Sequence, residues 1–152
     1  MKLAEALLLR ADLQKKLEQL RERVTRSAVV QEGDKPDEEP VKLLNEANGV
    51  IGELESLVAR INESNLRHKL ADGRTLTRAM AARDALVQRH SLLASAISGS
   101  AKEPSRYGLK EIKWVKVVNV AKLQKQLDDI SRKIRELNAS IQETNWKVTI
   151  PD

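Results

Sequence analysis

The strongest constraint on the fold is a stripe of apolar side chains, spaced alternately three and four residues apart, along residues 41–70. It comprises Leu44, Ala47, Ile51, Leu54, Val58 and Ile61 and ends at Asn65, with Leu43, Val50 and Leu57 in a parallel column. This spacing puts the stripe on one side of an α-helix. Because the apolar face is broad, we expect the helix to pack against two neighbours or against another subunit.

Three further segments repeat the helical pattern, at residues 2–26, 76–97 and 120–144. The last carries a regular heptad through Val120, Leu123, Leu127, Ile130, Ile134, Leu137 and Ile141. Gly73 can adopt the left-handed backbone that ends a helix, and Thr75 can cap the next one, which predicts a tight hairpin of helices 2 and 3. Only 2% of the residues are aromatic, so aliphatic side chains must form the core.

Residues 111–118 break the helical rhythm, because β-branched residues dominate the stretch. We predict an extended segment there that pairs with residues 28–31 or 146–150 as a small ribbon. The predicted fold class is therefore all-α, an antiparallel four-helix bundle with a short β-ribbon capping element. A chain of 152 residues fits a single domain, 1–152.

Several kinds of chemistry are absent from the sequence. The chain has no cysteine, and neither of its 2 histidines lies in the Glu-x-x-His pattern of a di-iron bundle. It has no glycine-rich phosphate-binding motif and no nucleophile elbow. We therefore expect a non-enzymatic protein with no metal and no cofactor.

The N-terminal apolar run is interrupted by Glu5 and ends at Arg10, which argues against a signal peptide. No segment approaches the roughly 18–20 uninterrupted apolar residues needed to span a bilayer. We therefore predict a cytoplasmic protein that does not use a membrane as its partner.

Charged and polar residues interrupt two of the apolar stripes. Leu76, Arg83, His90 and Ile97 are seven residues apart, and Arg10 interrupts the first helix. The candidates for a polar core or interface are Arg10, Asp12, Arg83, Asp84 and His90. These residues could bind a small anion, could fix the helix register or a subunit contact, or could let Arg83 reach solvent along its stem.

A second candidate surface combines bases with aromatic residues, at Arg106, Tyr107, Lys110, Lys113, Trp114 and Lys116. Such a patch can stack on bases and contact phosphates. The alternative, which the sequence favours, is an edge strand whose lysines prevent aggregation, with Trp114 packed on the bundle.

Charge is unevenly distributed, since the formal net charge is +5 although residues 32–63 carry nine acids and three bases. This asymmetry could attract an anionic partner or let acidic and basic surfaces of two subunits meet.

Four long stretches resemble the septicolysin-type family of small bacterial helical proteins: "MKLAEALLLRADLQKKLEQLRERV", "LADGRTLTRAMAARDAL", "EIKWVKVVNVAKLQKQLDDI" and "IRELNASIQETNW". The resemblance implies a helical protein and suggests membrane-active cytolysis, but it assigns no catalytic residue. The family pattern includes the positions occupied here by Arg10, Asp12, Asp72, Gly73, Arg74, Thr75, Arg83 and Asp84.

We expect the protein to act in assembly or interaction as a homo-oligomer, through the broad faces of helices 2 and 4. The first alternative is a basic nucleic-acid-binding module. The second is the membrane-active cytolysin that the family resemblance suggests.

Overall fold

The computed structural model describes residues 1–101 and 113–151. Its four helices are α1 (Leu3–Ser27), α2 (Pro40–Arg67), α3 (Leu76–Ser100) and α4 (Val120–Lys147). The prediction of an all-α fold with four helices is confirmed, and each helix begins within one residue of its predicted start. The antiparallel bundling of all four helices stays a prediction.

The contacts group the chain into two compact units. The first comprises Met1–Lys69 with Gln142–Asp152, and the second comprises Leu70–Ile141. The first unit therefore contains α1, α2 and the last turns of α4, while the second contains α3 and most of α4. The single-domain organisation stays a prediction.

In the first unit, α1 and α2 pack along a seam of residues spaced seven apart. The buried residues are Ala6, Leu13, Leu20 and Ser27 on α1, and Leu43, Val50, Leu57 and Ser64 on α2. Lys16 pairs with Glu46 at 3.0 Å and Arg23 pairs with Glu38, so α2 runs back along α1. The two helices thus form an antiparallel hairpin whose apolar contacts extend along most of its length.

The broad apolar face of α2 is only partly covered. Leu43, Val50 and Leu57 are buried, whereas Leu44 and Ile51 in the neighbouring column are each 48% exposed. The apolar pattern predicted the right side of the helix but not which column lies at its centre. The reason is that three apolar columns are wider than the face that α1 covers.

The two chain ends meet in the first unit. The Leu3 amide donates to the Val148 carbonyl at 2.9 Å, and the Ile150 amide donates to the Met1 carbonyl at 2.9 Å. Arg60 adds a hydrogen bond from its guanidinium to the Pro151 carbonyl at 2.8 Å. Ile150 is fully buried, so the C-terminal segment closes one end of the α1–α2 core.

The predicted β-ribbon is wrong. Residues 28–31 and 113–118 contain no strand, residues 146–147 belong to α4, and residues 111–112 lie outside the described part of the chain. The first unit has instead an isolated antiparallel bridge between Lys2 and Thr149. β-branched residues favour extended backbone, but a strand forms only where a second segment supplies the hydrogen bonds.

In the second unit, a tight turn leads into α3 as predicted. Gly73 has a φ of +85°, a conformation that glycine adopts without steric cost. The turn is closed by the Leu70 amide, which donates to the Arg74 carbonyl at 2.8 Å. The Thr75 hydroxyl then accepts from the Arg78 amide at 3.3 Å and caps α3.

The other end of the α3–α4 connection enters α4 through a similar cap. The Asn119 side chain accepts from the Lys122 amide at 3.0 Å. Among residues 1–101 and 113–151, no helix has both the length and the apolar character needed to cross a bilayer.

Candidate functional site

The most unusual feature of the second unit is an apolar stripe that never becomes fully buried. We call it the open stripe; it consists of Met80, Arg83, Leu86, His90, Leu93 and Ile97 on α3, and Leu123, Leu127, Ile130 and Ile134 on α4. All of these residues are half-buried. The buried side chains of the unit lie in the turn before α3, in the first turn of α3 and in the C-terminal half of α4; they are Leu70, Leu76, Ala79, Leu137 and Ile141.

Arg83 and His90 are both half-buried members of the open stripe. The Arg83 guanidinium donates to Asp84 from Nε at 3.1 Å and from a terminal nitrogen at 2.9 Å. The Arg83 side chain is 33% exposed, and its partner Asp84 is more exposed still. This geometry favours the reading in which the arginine stem covers apolar surface while its charged end reaches solvent.

Arg10 and Asp12 lie in the first unit. Arg10 is half-buried on the side of α1 that faces the seam, and its Nε is buried without a hydrogen-bond partner. Asp12 is exposed. Arg60 on α2 has a similarly unpartnered Nε, although its guanidinium is held by the Pro151 carbonyl.

A groove of about 360 Å³ lies in the second unit, between the turn before α3 and the two helices. Its lining includes the acids Asp72 and Glu136 and the bases Arg74 and Lys133, with Leu86 and Leu137 as apolar contacts. Sequence reasoning did not identify this groove, since it joins residues more than sixty positions apart. The two charges of each sign leave no excess for an ionic ligand.

One of those charged pairs is fully organised. Asp72 accepts hydrogen bonds from the Arg74 amide at 3.0 Å, from its Nε at 2.9 Å and from a terminal guanidinium nitrogen at 2.6 Å. The side-chain hydrogen bonds from Arg74 hold the pKa of the Asp72 carboxyl below its ordinary value, with a smaller contribution from the amide. The pair stabilises the turn that precedes α3, which gives it a structural role.

The second candidate patch lies partly within the described residues. Lys113, Trp114 and Lys116 are exposed and belong to no helix or strand. Trp114 is 79% exposed, so it does not pack on the helices as an edge-strand arrangement would require. Arg106, Tyr107 and Lys110 lie outside the described residues.

In the part of the chain that the structure covers, no group of three or more His, Cys, Asp or Glu side chains is placed to hold a metal ion.

Comparisons with known proteins point to one family and one solved fold. A family model described as a family of unknown function matches residues 10–150. The crystal structure of a functionally unknown conserved protein from Corynebacterium diphtheriae has a TM-score of 0.91 and 32% sequence identity, covering 99% of each chain. None of the curated proteins matches this chain.

These matches overturn the resemblance to the septicolysin-type family. Both lead to proteins without a known function, and neither points to a septicolysin. The quoted motifs consist largely of Leu, Ala, Lys, Arg and Glu at helical spacing, a composition common to many unrelated helical proteins. The family resemblance is therefore wrong, and the cytolytic activity that it suggested loses its support.

Proposed function

Because the chain belongs to DUF6847, a family of unknown function, we propose its role from its own surfaces: it assembles with a second copy of itself through the open stripe, and it acts by this assembly and not as an enzyme. The observation that carries the proposal is the half-burial of the open stripe. Between residues 80 and 136, no described residue of α3 or α4 is fully buried.

Helix geometry explains why this stripe needs a partner. A long amphipathic helix gains most of its stability by burying its apolar face against other elements. The α1–α2 hairpin buries residues along most of its seam, and Ile150 from the C-terminal segment adds to that core. Among residues 1–101 and 113–151, α3 and α4 have no equivalent run of buried side chains along most of their length, although they keep the same three-and-four spacing.

A second copy can supply this cover by symmetry. Two copies related by a twofold axis would bring four helices together around one core, which is a common arrangement for helical proteins. From residue 80 to residue 97 the stripe is about 27 Å long, and two helices side by side are roughly 20 Å wide. Each copy would then bury roughly 500 Å², or about 1,000 Å² in all, near the lower limit for a specific interface.

The test exploits two exposed apolar residues on α3. Val87 flanks the open stripe and is 48% exposed, whereas Leu92 is 71% exposed. Five residues correspond to about 140° around the helix, so Leu92 lies well away from Val87. We expect light scattering and sedimentation at tens of micromolar protein to give a dimer for the wild type and for Leu92→Glu, but a monomer for Val87→Glu.

Both variants replace an exposed side chain, so circular dichroism should give wild-type helicity for each. Ile130→Ala provides an independent check on α4 and should weaken the dimer without adding a charge. A wild-type protein that is monomeric at these concentrations contradicts the proposal. A dimer that survives Val87→Glu and Ile130→Ala, but is disrupted by Leu44→Glu, would move the interface to α2.

The cytoplasmic location belongs with this proposal. It stays a prediction, supported by the absence of cysteine from the sequence, and a tagged copy observed in fractionated cells would test it.

A further inference from the structure

Residues 113–117 expose more apolar surface than any other short stretch among the described residues. Trp114 is 79% exposed, Val115 is 78% exposed and Val117 is 96% exposed. The sequence contains only 2 tryptophans and 2% aromatic residues overall, so few aromatic side chains are available either for the core or for binding. An indole that contributes little to the core is available to bind a partner, since tryptophan is enriched where binding energy is concentrated.

The charge around the indole specifies the partner. Lys113 and Lys116 flank Trp114, and neither forms an ion pair with a carboxylate in the part of the chain that the structure describes. The whole second unit contains 14 Lys and Arg against 7 Asp and Glu, a net charge of 14 − 7 = +7. The first unit carries the remaining 13 bases and 15 acids, a net charge of −2. For residues 113–117 themselves, an anionic partner is therefore favoured over the same lysine-bearing segment of a second copy.

The order of residues distinguishes between two possible anionic partners, a lipid surface and a nucleic acid strand. Lysines and apolar residues follow one another as Lys113, Trp114, Val115, Lys116 and Val117, with no division into an apolar face and a charged face. A segment that lies in a lipid interface as an amphipathic element depends on such a division. A nucleic acid strand does not require it, because a base can stack on an indole while phosphates on either side meet the lysines.

We propose that residues 113–117 bind single-stranded nucleic acid, with Trp114 stacking on one base while Lys113 and Lys116 contact the neighbouring phosphates. The bases of a duplex are already stacked on one another, so the site discriminates against double strands. The interaction uses the backbone and the flat face of a base, and it therefore carries little sequence preference.

Intrinsic fluorescence provides a direct measurement. In a Trp146→Phe background the remaining indole is Trp114, and titration with a 12-nucleotide oligouridine should quench its emission. We expect a dissociation constant on the order of 10–100 μM at low salt, similar values for a 12-nucleotide oligothymidine, and several-fold weaker binding of a 12-base-pair duplex.

Two variants separate the contribution of base stacking from that of the lysine charges. Binding is measured by the anisotropy of a labelled oligonucleotide with the full-length protein. Trp114→Ala should weaken binding roughly tenfold. Lys113→Ala with Lys116→Ala should reduce the slope of log affinity against log salt by about 1.4. The matched control, Lys15→Ala with Lys35→Ala, removes the same charge from the first unit, at two exposed lysines, and should leave binding nearly unchanged.

Several results would overturn the proposal. The proposal would be overturned if neither oligouridine nor oligothymidine bound, or if Trp114→Ala bound as tightly as the wild type. It would also be overturned if the control pair, Lys15→Ala with Lys35→Ala, weakened binding as much as Lys113→Ala with Lys116→Ala. A blue shift of Trp114 emission on vesicles of three parts phosphatidylcholine to one part phosphatidylglycerol, without quenching by oligonucleotides, would assign the segment to a lipid surface. A change of oligomeric state in Trp114→Ala would assign it to contact between copies.

Discussion

The α1–α2 hairpin and the α3–α4 pair are built from the same three-and-four apolar spacing, but they bury it to different extents. Leu13, Leu20, Val50 and Leu57 are buried along the first pair, whereas every member of the open stripe is only half-buried. The ion pair between Lys16 and Glu46 joins α1 to α2. The ion pairs described on α3 and α4 are between near neighbours, as in Arg83–Asp84 and Arg132–Asp129.

This difference shows that a helix pattern and a packed core are separate properties. Spacing determines which side of a helix is apolar, and it does so for all four helices. How much of that side is removed from water depends on how many elements cover it. The first pair has the C-terminal segment beside it, with Ile150 fully buried, while no member of the open stripe reaches that degree of burial.

The largest expected effect comes from truncating equivalent leucines in the two pairs. Leu57 on α2 is fully buried and Leu86 on α3 is half-buried. Leu57→Ala should lower the free energy of unfolding by about 3 kcal/mol, because it leaves a cavity. Leu86→Ala should cost about 1 kcal/mol, because part of its surface already faces water. Urea denaturation below 1 μM protein, where assembly is disfavoured, measures both values. Equal losses of unfolding free energy in the two variants would contradict the difference in burial between the two helix pairs.

The next largest effect concerns Ile150, whose side chain is buried at one end of the α1–α2 core. Ile150→Ala should cost about 2 kcal/mol, since the side chain is fully buried at the end of the α1–α2 core. Hydrogen exchange should show faster opening of α1 and α2 in this variant than of α3. Val29→Ala is the matched control, because Val29 is an exposed residue of the same unit and should change stability very little. Unchanged stability in Ile150→Ala would mean that the C-terminal segment does not support the core.

A smaller effect tests how far the second pair depends on local structure. The Thr75 hydroxyl caps α3, and Thr75→Ala should therefore cost about 1 kcal/mol. Thr77→Ala, at an exposed position two residues further on, should be neutral or slightly stabilising because alanine has the higher helix propensity. Thermal unfolding of the two variants side by side gives the contrast. A cost as large for Thr77 as for Thr75 would argue against the cap.

The smallest effect is a difference in pH dependence. The hydrogen bond from Arg23 lowers the pKa of the Glu38 carboxyl, and a lowered folded-state pKa gives stability that is present at neutral pH. That contribution is lost as the pH falls through the folded-state pKa of Glu38. Arg23→Gln should therefore flatten the acid limb of the stability curve, as followed by urea denaturation between pH 3 and 7. Both partners are only partly buried, so the change should be small. An unaltered acid limb would contradict a role for this pair.

Arg74→Gln gives the corresponding measurement in the second unit. The hydrogen bonds from Arg74 lower the pKa of the Asp72 carboxyl. As for Glu38, the resulting stability is present at neutral pH and is lost as the pH falls through the folded-state pKa of Asp72. This pair spans a turn and does not join two helices, so its loss should affect the opening of α3 more than that of α1. If this variant increased the opening of α1 more than that of α3, the contrast between the two helix pairs would be weakened.

The candidate surfaces were predictable from sequence only in part. Arg83 and His90 were assigned to an apolar stripe because their spacing from Leu76 and Ile97 is a local property of one helix. The groove beside Asp72 and Arg74 was not identified, because Lys133 and Glu136 approach it only when distant segments come together. The exposure of Trp114 also required the structure, since the sequence favoured an edge strand with this side chain packed on the helices.

By itself, the sequence determined four helices, their starting points, the glycine turn at Gly73 and the cap at Thr75. These features depend on backbone preferences and on side chains a few residues apart. Tertiary structure decided which apolar columns are buried, that residues 28–31 and 113–118 form no ribbon, and that the chain ends meet beside α1 and α2. Burial and strand pairing depend on what a distant segment supplies, and no local pattern contains that information.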